Sequence, residues 1–514
     1  MTQLAEDLSS LSLNNSSSEA QCKLAELVKA RNIMKFISAH PNGKDKTASP
    51  FTPEEMSLLK NIPKEWTVCT LETFMRPGSQ DKELMICRIR ADCDPVLVKI
   101  NTTSGEEQSK DNTSDVVMDL TKLFQCSVME DFNDIMSDSV KSMNVNNTSE
   151  WWALRKRLDI KMKNLLEKLE ASWLGRWKGV LLGQPINDDY CKSTASIARQ
   201  LQEKISHLCG SVPDKQLLEV LVTSSLHLSR KEATEAMIEI TGMDPTSPLL
   251  NELVDEFEEL TDNLFENGNR KSNGNRAESN STEAISRHPV ILILGKDIQH
   301  LPWESIPMLF DQPVTRVPSL QFLLSKVCCQ RQLPQVDPVK TFYALNPQNN
   351  LPNTQKMFQK WFECEDGWHG ITGKAPTQEE FSDALTDHEL FIYFGHGTGQ
   401  EFLQGDNIQR LDCRAVTLLM GCSSGKLMVG GECEPRGMAL NYLLAGCPAI
   451  VANLWDVTDK DIDRFSELLL KQWLQPDQHL SLPQVLSQSR QACKLKYLIG
   501  ASPVLYGLPA YIKE

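Results

Sequence analysis

A chain of 514 residues is longer than one hydrophobic core usually organises, so two or three domains are expected. Its formal net charge of −15 argues against nucleic acid as a direct, charge-driven partner. The composition, 40% apolar and 24% charged, fits a globular protein, and no run approaches the ~20 apolar residues of a membrane-crossing helix.

The first stretch, MTQLAEDLSSLSLNNSSSEA, has no basic start and no apolar centre, so no signal peptide is expected. Serine and asparagine dominate it, and an ordered segment is expected only over 21–38, where Leu24, Leu27, Val28, Ile33 and Phe36 follow helical spacing. Residues 1–50 thus read as a disordered or helical N-terminal segment. From Trp66 the pattern becomes β-like, in the runs WTVCTLETF, ELMICRIR and VLVKI, parted by the turn formers RPGSQD and ADCDP. Helices are predicted next over 117–141, 149–178, 193–208 and 249–265, with a further amphipathic pair over 214–242. Leu154, Leu158, Met162, Leu165, Leu169 and Trp173 of the second recur at three- or four-residue spacing, as for a helix packed on its own domain or, alternatively, one that docks a partner. ENGNRKSNGNRAESNST, over 266–282, is polar and Gly/Asn-rich and marks a boundary.

A regular α/β succession follows. Strands are predicted over 289–294, 340–345, 389–394, 415–420 and 448–454, with helices near 319–328, 353–363, 378–385, 437–444 and 459–473. Near-continuous apolar runs joined by helices or long crossovers imply a mostly parallel sheet covered on both faces.

Two of these strands end at reactive side chains. LFIYF runs into Gly395-His396-Gly397, and AVTLLM into Gly421-Cys422-Ser423. Reactive groups collect where parallel strands end and their loops begin. Histidine and cysteine there form a base and a nucleophile, because the thiolate rather than the thiol attacks. The amides of Gly397 and Cys422 are then available to an oxyanion. No Asp or Asn stands out as the residue that would orient His396, and a dyad suffices. Gly421-Cys-Ser-Ser-Gly425-Lys426 is no phosphate loop, having too few residues between its glycines. In NLWDVTDKDIDRF, Asp456, Asp459, Asp461 and Asp463 crowd one sheet edge, where they either cap the next helix or hold a cationic side chain.

Fifteen cysteines lie scattered through apolar runs, as reduced thiols do, and the expected compartments are cytoplasm and nucleus. With no C-x-x-C pair and no HExxH among nine histidines, no metal is expected, and the chemistry calls for no organic cofactor.

The stretches LPWESIP (301–307), YFGHGTGQEFL (393–403), LLMGCSSGKL (418–427), AGCPAIVANLWDVTDKDIDRF (445–465) and, more weakly, IPKEWTV (62–68) resemble separase, the caspase-like cysteine endopeptidase family that cuts cohesin. The resemblance implies an α/β caspase-like fold, with a mostly parallel sheet flanked by helices. A smaller inactive caspase-like subdomain with a helical insertion, 51–265, would precede the flexible loop 266–287 and the active domain 288–514. It implies His396 as base, Cys422 as nucleophile, and Gly397 and Cys422 amides as oxyanion donors. The substrate would be the kleisin subunit of cohesin, cut after arginine with an acidic residue three positions upstream, to separate sister chromatids at anaphase. Asp463, with Asp456 beside it, would hold the arginine, and securin would be the inhibitory partner. The long N-terminal solenoid of full-length separases has no counterpart in this sequence. The competing reading is a silent caspase-like scaffold, which would have no need of both His396 and Cys422.

Overall fold

The computed structural model describes residues 53–75, 82–91, 93–100, 114–269, 285–329, 333–430, 435–475 and 479–513. The segment 1–50 and most of the connection expected over 266–287 lie outside these residues. The first three strands, β1 (Thr67–Met75), β2 (Lys82–Ile89) and β3 (Val96–Ile100), form the antiparallel meander that the turn-separated runs predict. Then come β4 (Val290–Leu294), β5 (Val314–Arg316), β6 (Gln335–Val336), β7 (Thr341–Leu345), β8 (His369–Thr372), β9 (Leu390–Phe394), β10 (Val416–Leu419), β11 (Ala449–Asn453), β12 (Pro503–Gly507) and β13 (Tyr511–Ile512).

Eleven strands build one sheet, in the order β3-β2-β1-β4-β5-β12-β11-β10-β9-β7-β8, and β6 pairs with β13 apart from it. The strands of the first half therefore continue the main sheet. Thr67–Leu71 of β1 lies parallel to Val290–Leu294 of β4. The reason is burial: Val68, Leu71 and Ile291 are shut away from water, so their backbone groups need ladder partners on both sides.

β1, β4, β5 and β12 run parallel to one another, as do β11, β10, β9, β7 and β8. The two blocks meet antiparallel at β11 and β12, paired from Ala449–Gly507 to Asn453–Pro503. β5 and β12 are short runs between turns, and the periodicity argument passed over both.

Helices cover the faces. In the first half they are α1 (Pro53–Leu59), α2 (Ser114–Ser142), α3 (Thr148–Leu169), α4 (Asp188–Cys209), α5 (Lys215–Thr223), α6 (Arg230–Thr241) and α7 (Pro248–Asn269). The helix predicted over 149–178 stops being α-helical at Leu169. A wide turn over Glu170–Leu174 and a tight one over Gly175–Leu181 follow, and Gly175 at φ +47° makes the change of winding. α4 starts five residues earlier than predicted, because Asn187 accepts from the amides of Asp189 and Tyr190 at 2.9 and 3.1 Å.

The second half carries α8 (Leu320–Cys329), α9 (Pro352–Cys364), α10 (Gln378–Thr386), α11 (Gly405–Ile408), α12 (Met438–Leu444), α13 (Asp459–Trp473) and α14 (Leu482–Ser489). Buried polar pairs lock the layers. In LPWESIP, Glu304 accepts two bonds from Arg316 of β5, at 2.5 and 2.6 Å, with both side chains 3% exposed. Asp159 of α3 accepts from the amides of Tyr497 and Leu498 at 2.8 and 2.7 Å, and Leu498 in turn accepts from Trp455 Nε1 at 2.8 Å. The helices of the first half thereby reach the loop that follows β11. Among the described residues, no helix is long and apolar enough to cross a membrane.

Candidate active site

β9 and β10 are parallel neighbours with Tyr393 opposite Leu419. Their C-terminal extensions, Gly395–Gly397 and Gly421–Ser423, leave the sheet side by side, one strand spacing or ~4.8 Å apart. The two segments touch through their backbones. A Cβ placed on Gly421 would stand 2.0 Å from the carbonyl oxygen of Gly397 and 2.8 Å from that of Gly395. Only glycine permits that approach, and it brings His396 and Cys422 onto adjoining turns.

Cys422 is half-buried, and its Sγ donates to the carbonyl of Val457 at 3.4 Å. Burial pushes its thiol above the ordinary range; the Val457 bond opposes this, and the charges of Asp456 and Asp459 add to it. The resting group is therefore a protonated thiol that needs a base.

The loop around it is tightly held. Ser423 sits at φ +53°. Its amide donates to Trp455 O at 3.2 Å and its hydroxyl to Asp456 Oδ1 at 2.6 Å. Ser424 donates to Leu419 O at 2.7 Å, and Asn453 Nδ2 donates to Gly421 O at 3.0 Å. The amides of Gly397 and Cys422 donate to no other residue among those described, and Gly397 lies at φ +59°.

His396 is exposed, and its Nε2 lies 3.1 Å from Asn350 Oδ1. A proton on Nε2, donated to that oxygen, leaves Nδ1 as the acceptor. The expectation that no Asp or Asn orients the histidine is thus corrected. Asn350 belongs to NPQNNLPNT, the turn between β7 and α9. There Asn346 and Asn349 adopt φ +52° and +55°, a region asparagine tolerates. Asn346 Oδ1 accepts from the amides of Asn350 and Leu351, each at 2.8 Å. The signal was legible: an asparagine-rich turn directly after a strand. Asn350→Ala is expected to lower kcat/KM about 3- to 10-fold, the worth of one neutral hydrogen bond, with KM nearly unchanged. Steady-state kinetics with a short peptide substrate checks this.

The four aspartates separate by environment. Asp463, on the first turns of α13, is 4% exposed and accepts from Thr354 Oγ1 at 2.8 Å. Burial raises its carboxyl to about 7, against the opposing Thr354 bond. Asp461, also buried, accepts from Lys494 N at 2.8 Å and pairs with Arg464. Asp459 is exposed, and Asp456 takes the Ser423 hydroxyl. Thr354 stands four residues after Asn350, so one short stretch of chain touches both His396 and Asp463. Among the described residues, no group of His, Cys, Asp and Glu could hold a metal ion.

The family description "Separin, protease domain" matches residues 79–462. The separin of Mus musculus is 38% identical over 463 residues, covering 88% of this chain and 20% of that protein. The separin of Schizosaccharomyces pombe is 32% identical over 485 residues, covering 89% of this chain and 25% of its own. The chain thus spans about a fifth to a quarter of the length of these relatives. In fold it resembles the Saccharomyces cerevisiae separase of a separase–securin complex, with TM-score 0.70 and 24% identity, over 90% of this chain and 31% of that one.

Proposed function

The chain belongs to the separin protease family, and on that premise we propose that it is a cysteine endopeptidase using Cys422 as nucleophile and His396 as base. The backbone contact of Gly421 with Gly395 and Gly397 carries this reading, since it sets the two loops edge to edge. His396 Nδ1 accepts the thiol proton as Sγ adds to the scissile carbonyl carbon. The amides of Gly397 and Cys422 take the oxyanion. The tetrahedral adduct then expels the amine, which leaves with the imidazolium proton. Water, deprotonated by His396, hydrolyses the thioester and frees Cys422.

Asp463 receives the substrate arginine: a buried carboxyl held near neutrality gains most from a guanidinium. Asp456, with one oxygen on Ser423, is the second carboxylate of that pocket. The substrate proposed is the kleisin subunit of cohesin, cut after an acidic-x-x-Arg sequence to separate sister chromatids at anaphase. Family membership supports this. Securin is proposed as the inhibitory partner, supported by the likeness to a separase solved in complex with it. Residues 51–265 are proposed as the inactive caspase-like subdomain with its helical insertion, and cytoplasm and nucleus as the compartments.

A fluorogenic peptide ending in Glu-x-x-Arg should be turned over, and its Arg→Ala counterpart should not. Equal turnover of both would sink the arginine assignment. Failure of an arginyl acyloxymethyl ketone to label Cys422, together with no turnover, would favour the scaffold reading.

A further inference from the structure

β2, β3 and the helices stacked against them enclose a cavity of about 280 Å³, near the lower end of the ~300–1,000 Å³ typical of ligand pockets. Arg88, Arg90, Gln184, Thr194, Ala195 and Glu219 contribute to its wall. The charge there is unbalanced. Arg88 is 7% exposed, and its Nη1 donates to the carbonyls of Val180 and Leu182 at 2.7 and 2.5 Å. Arg287, 5% exposed, donates to the carbonyls of Gly183 and Thr223 at 2.9 and 3.3 Å, and both of those residues line the same cavity.

Arg90 Nε is buried with no hydrogen-bond partner among the described residues. Glu219 is the only carboxylate among the described lining residues, 4.0 Å from Arg90 and shared with Lys215 at 3.2 Å. Carbonyl partners satisfy the geometry of Arg88 and Arg287 but leave their charge uncancelled. Burial, with Arg90 and Arg287 nearby, pulls the Arg88 guanidinium down to about 10. Two guanidiniums, Arg88 and Arg90, thus line one cavity, and a third, Arg287, is bonded to the backbone of two of its lining residues, in a chain whose net charge is −15.

We propose that this cavity binds the phosphate group of a small soluble phosphorylated molecule. Guanidinium forks match phosphate oxygens in directed pairs, and a dianion offsets the surplus charge. The site is separate from the candidate active site: β2 and β10 stand six places apart in the sheet, roughly 29 Å at ~4.8 Å per strand. The proposal does not depend on the peptidase reading.

The test is thermal unfolding of the full chain against inorganic phosphate and pyrophosphate, with sodium chloride matched in ionic strength. A saturable rise in Tm on the order of 2 °C is expected, at lower concentration for pyrophosphate. Arg90→Gln should lose the rise while peptide turnover stays unchanged. Ala195→Phe, which fills the cavity and keeps every arginine, should lose it as well, and it answers the question if Arg90→Gln fails to fold. An equal rise with sodium chloride, or an undiminished rise in both variants, overturns the proposal.

Discussion

Cys422→Ala should lower kcat/KM for an arginine-directed peptide by about 10⁴-fold or more, with little change in Tm. The thiol is half-buried and makes one weak bond, to Val457, so stability owes it little. The loop is held instead by Ser423, Ser424 and Asn453, which the substitution leaves in place. His396→Ala should cost about 10²- to 10⁴-fold, the range for a positioned base. Its cost should shrink at alkaline pH, as solvent begins to ionise a thiol that burial holds protonated. Burst kinetics in the wild type and their absence in Cys422→Ala would identify the thioester. Turnover that survives Cys422→Ala would remove the nucleophile assignment.

Asp463→Asn should cut kcat/KM for arginine substrates by roughly 30- to 4,000-fold, corresponding to about 2–5 kcal/mol for a lost buried charge partner. The side chain keeps its shape and can still accept from Thr354, so the loss reports on charge. The pH dependence has a definite sign. A carboxyl raised to about 7 in the fold, against an ordinary value of 3.8, favours its neutral form there. Its contribution to stability is therefore best below pH 4 and falls as pH rises towards 7. Above pH 7, Asp463→Asn should melt later than the wild type.

Binding runs the other way. A guanidinium ligand needs the carboxylate, so its affinity should fall as pH drops below about 7. Competition by agmatine, measured on Cys422→Ala, isolates that effect from the chemistry. A flat profile from pH 5 to 8 would place the arginine elsewhere.

Much of this was legible because strong local signals agreed with the tertiary structure. Apolar runs ending in Gly-His-Gly and Gly-Cys-Ser did become neighbouring strands with adjoining loops. What escaped was information carried by other parts of the chain. β5 has three residues, and all five residues of β12 are buried, so neither shows an alternation to read. Asn350 reaches His396 from 46 residues away in sequence, through a turn that Asn346 folds. The four aspartates looked equivalent as letters. Asp461 and Asp463 are both buried, but Asp461 is paired with Arg464, whereas Asp463 meets the Thr354 hydroxyl of α9, a contact the sequence does not show.

The join between β1 and β4 also bears on cleavage. Five residue pairs hold β1 to β4 side by side, and the polypeptide linking those strands passes through residues 270–284. Cutting the backbone there would break a covalent link without breaking the ladder. The two pieces would stay associated as a split protein and migrate as one particle under native conditions. Denaturing electrophoresis alone would count two fragments.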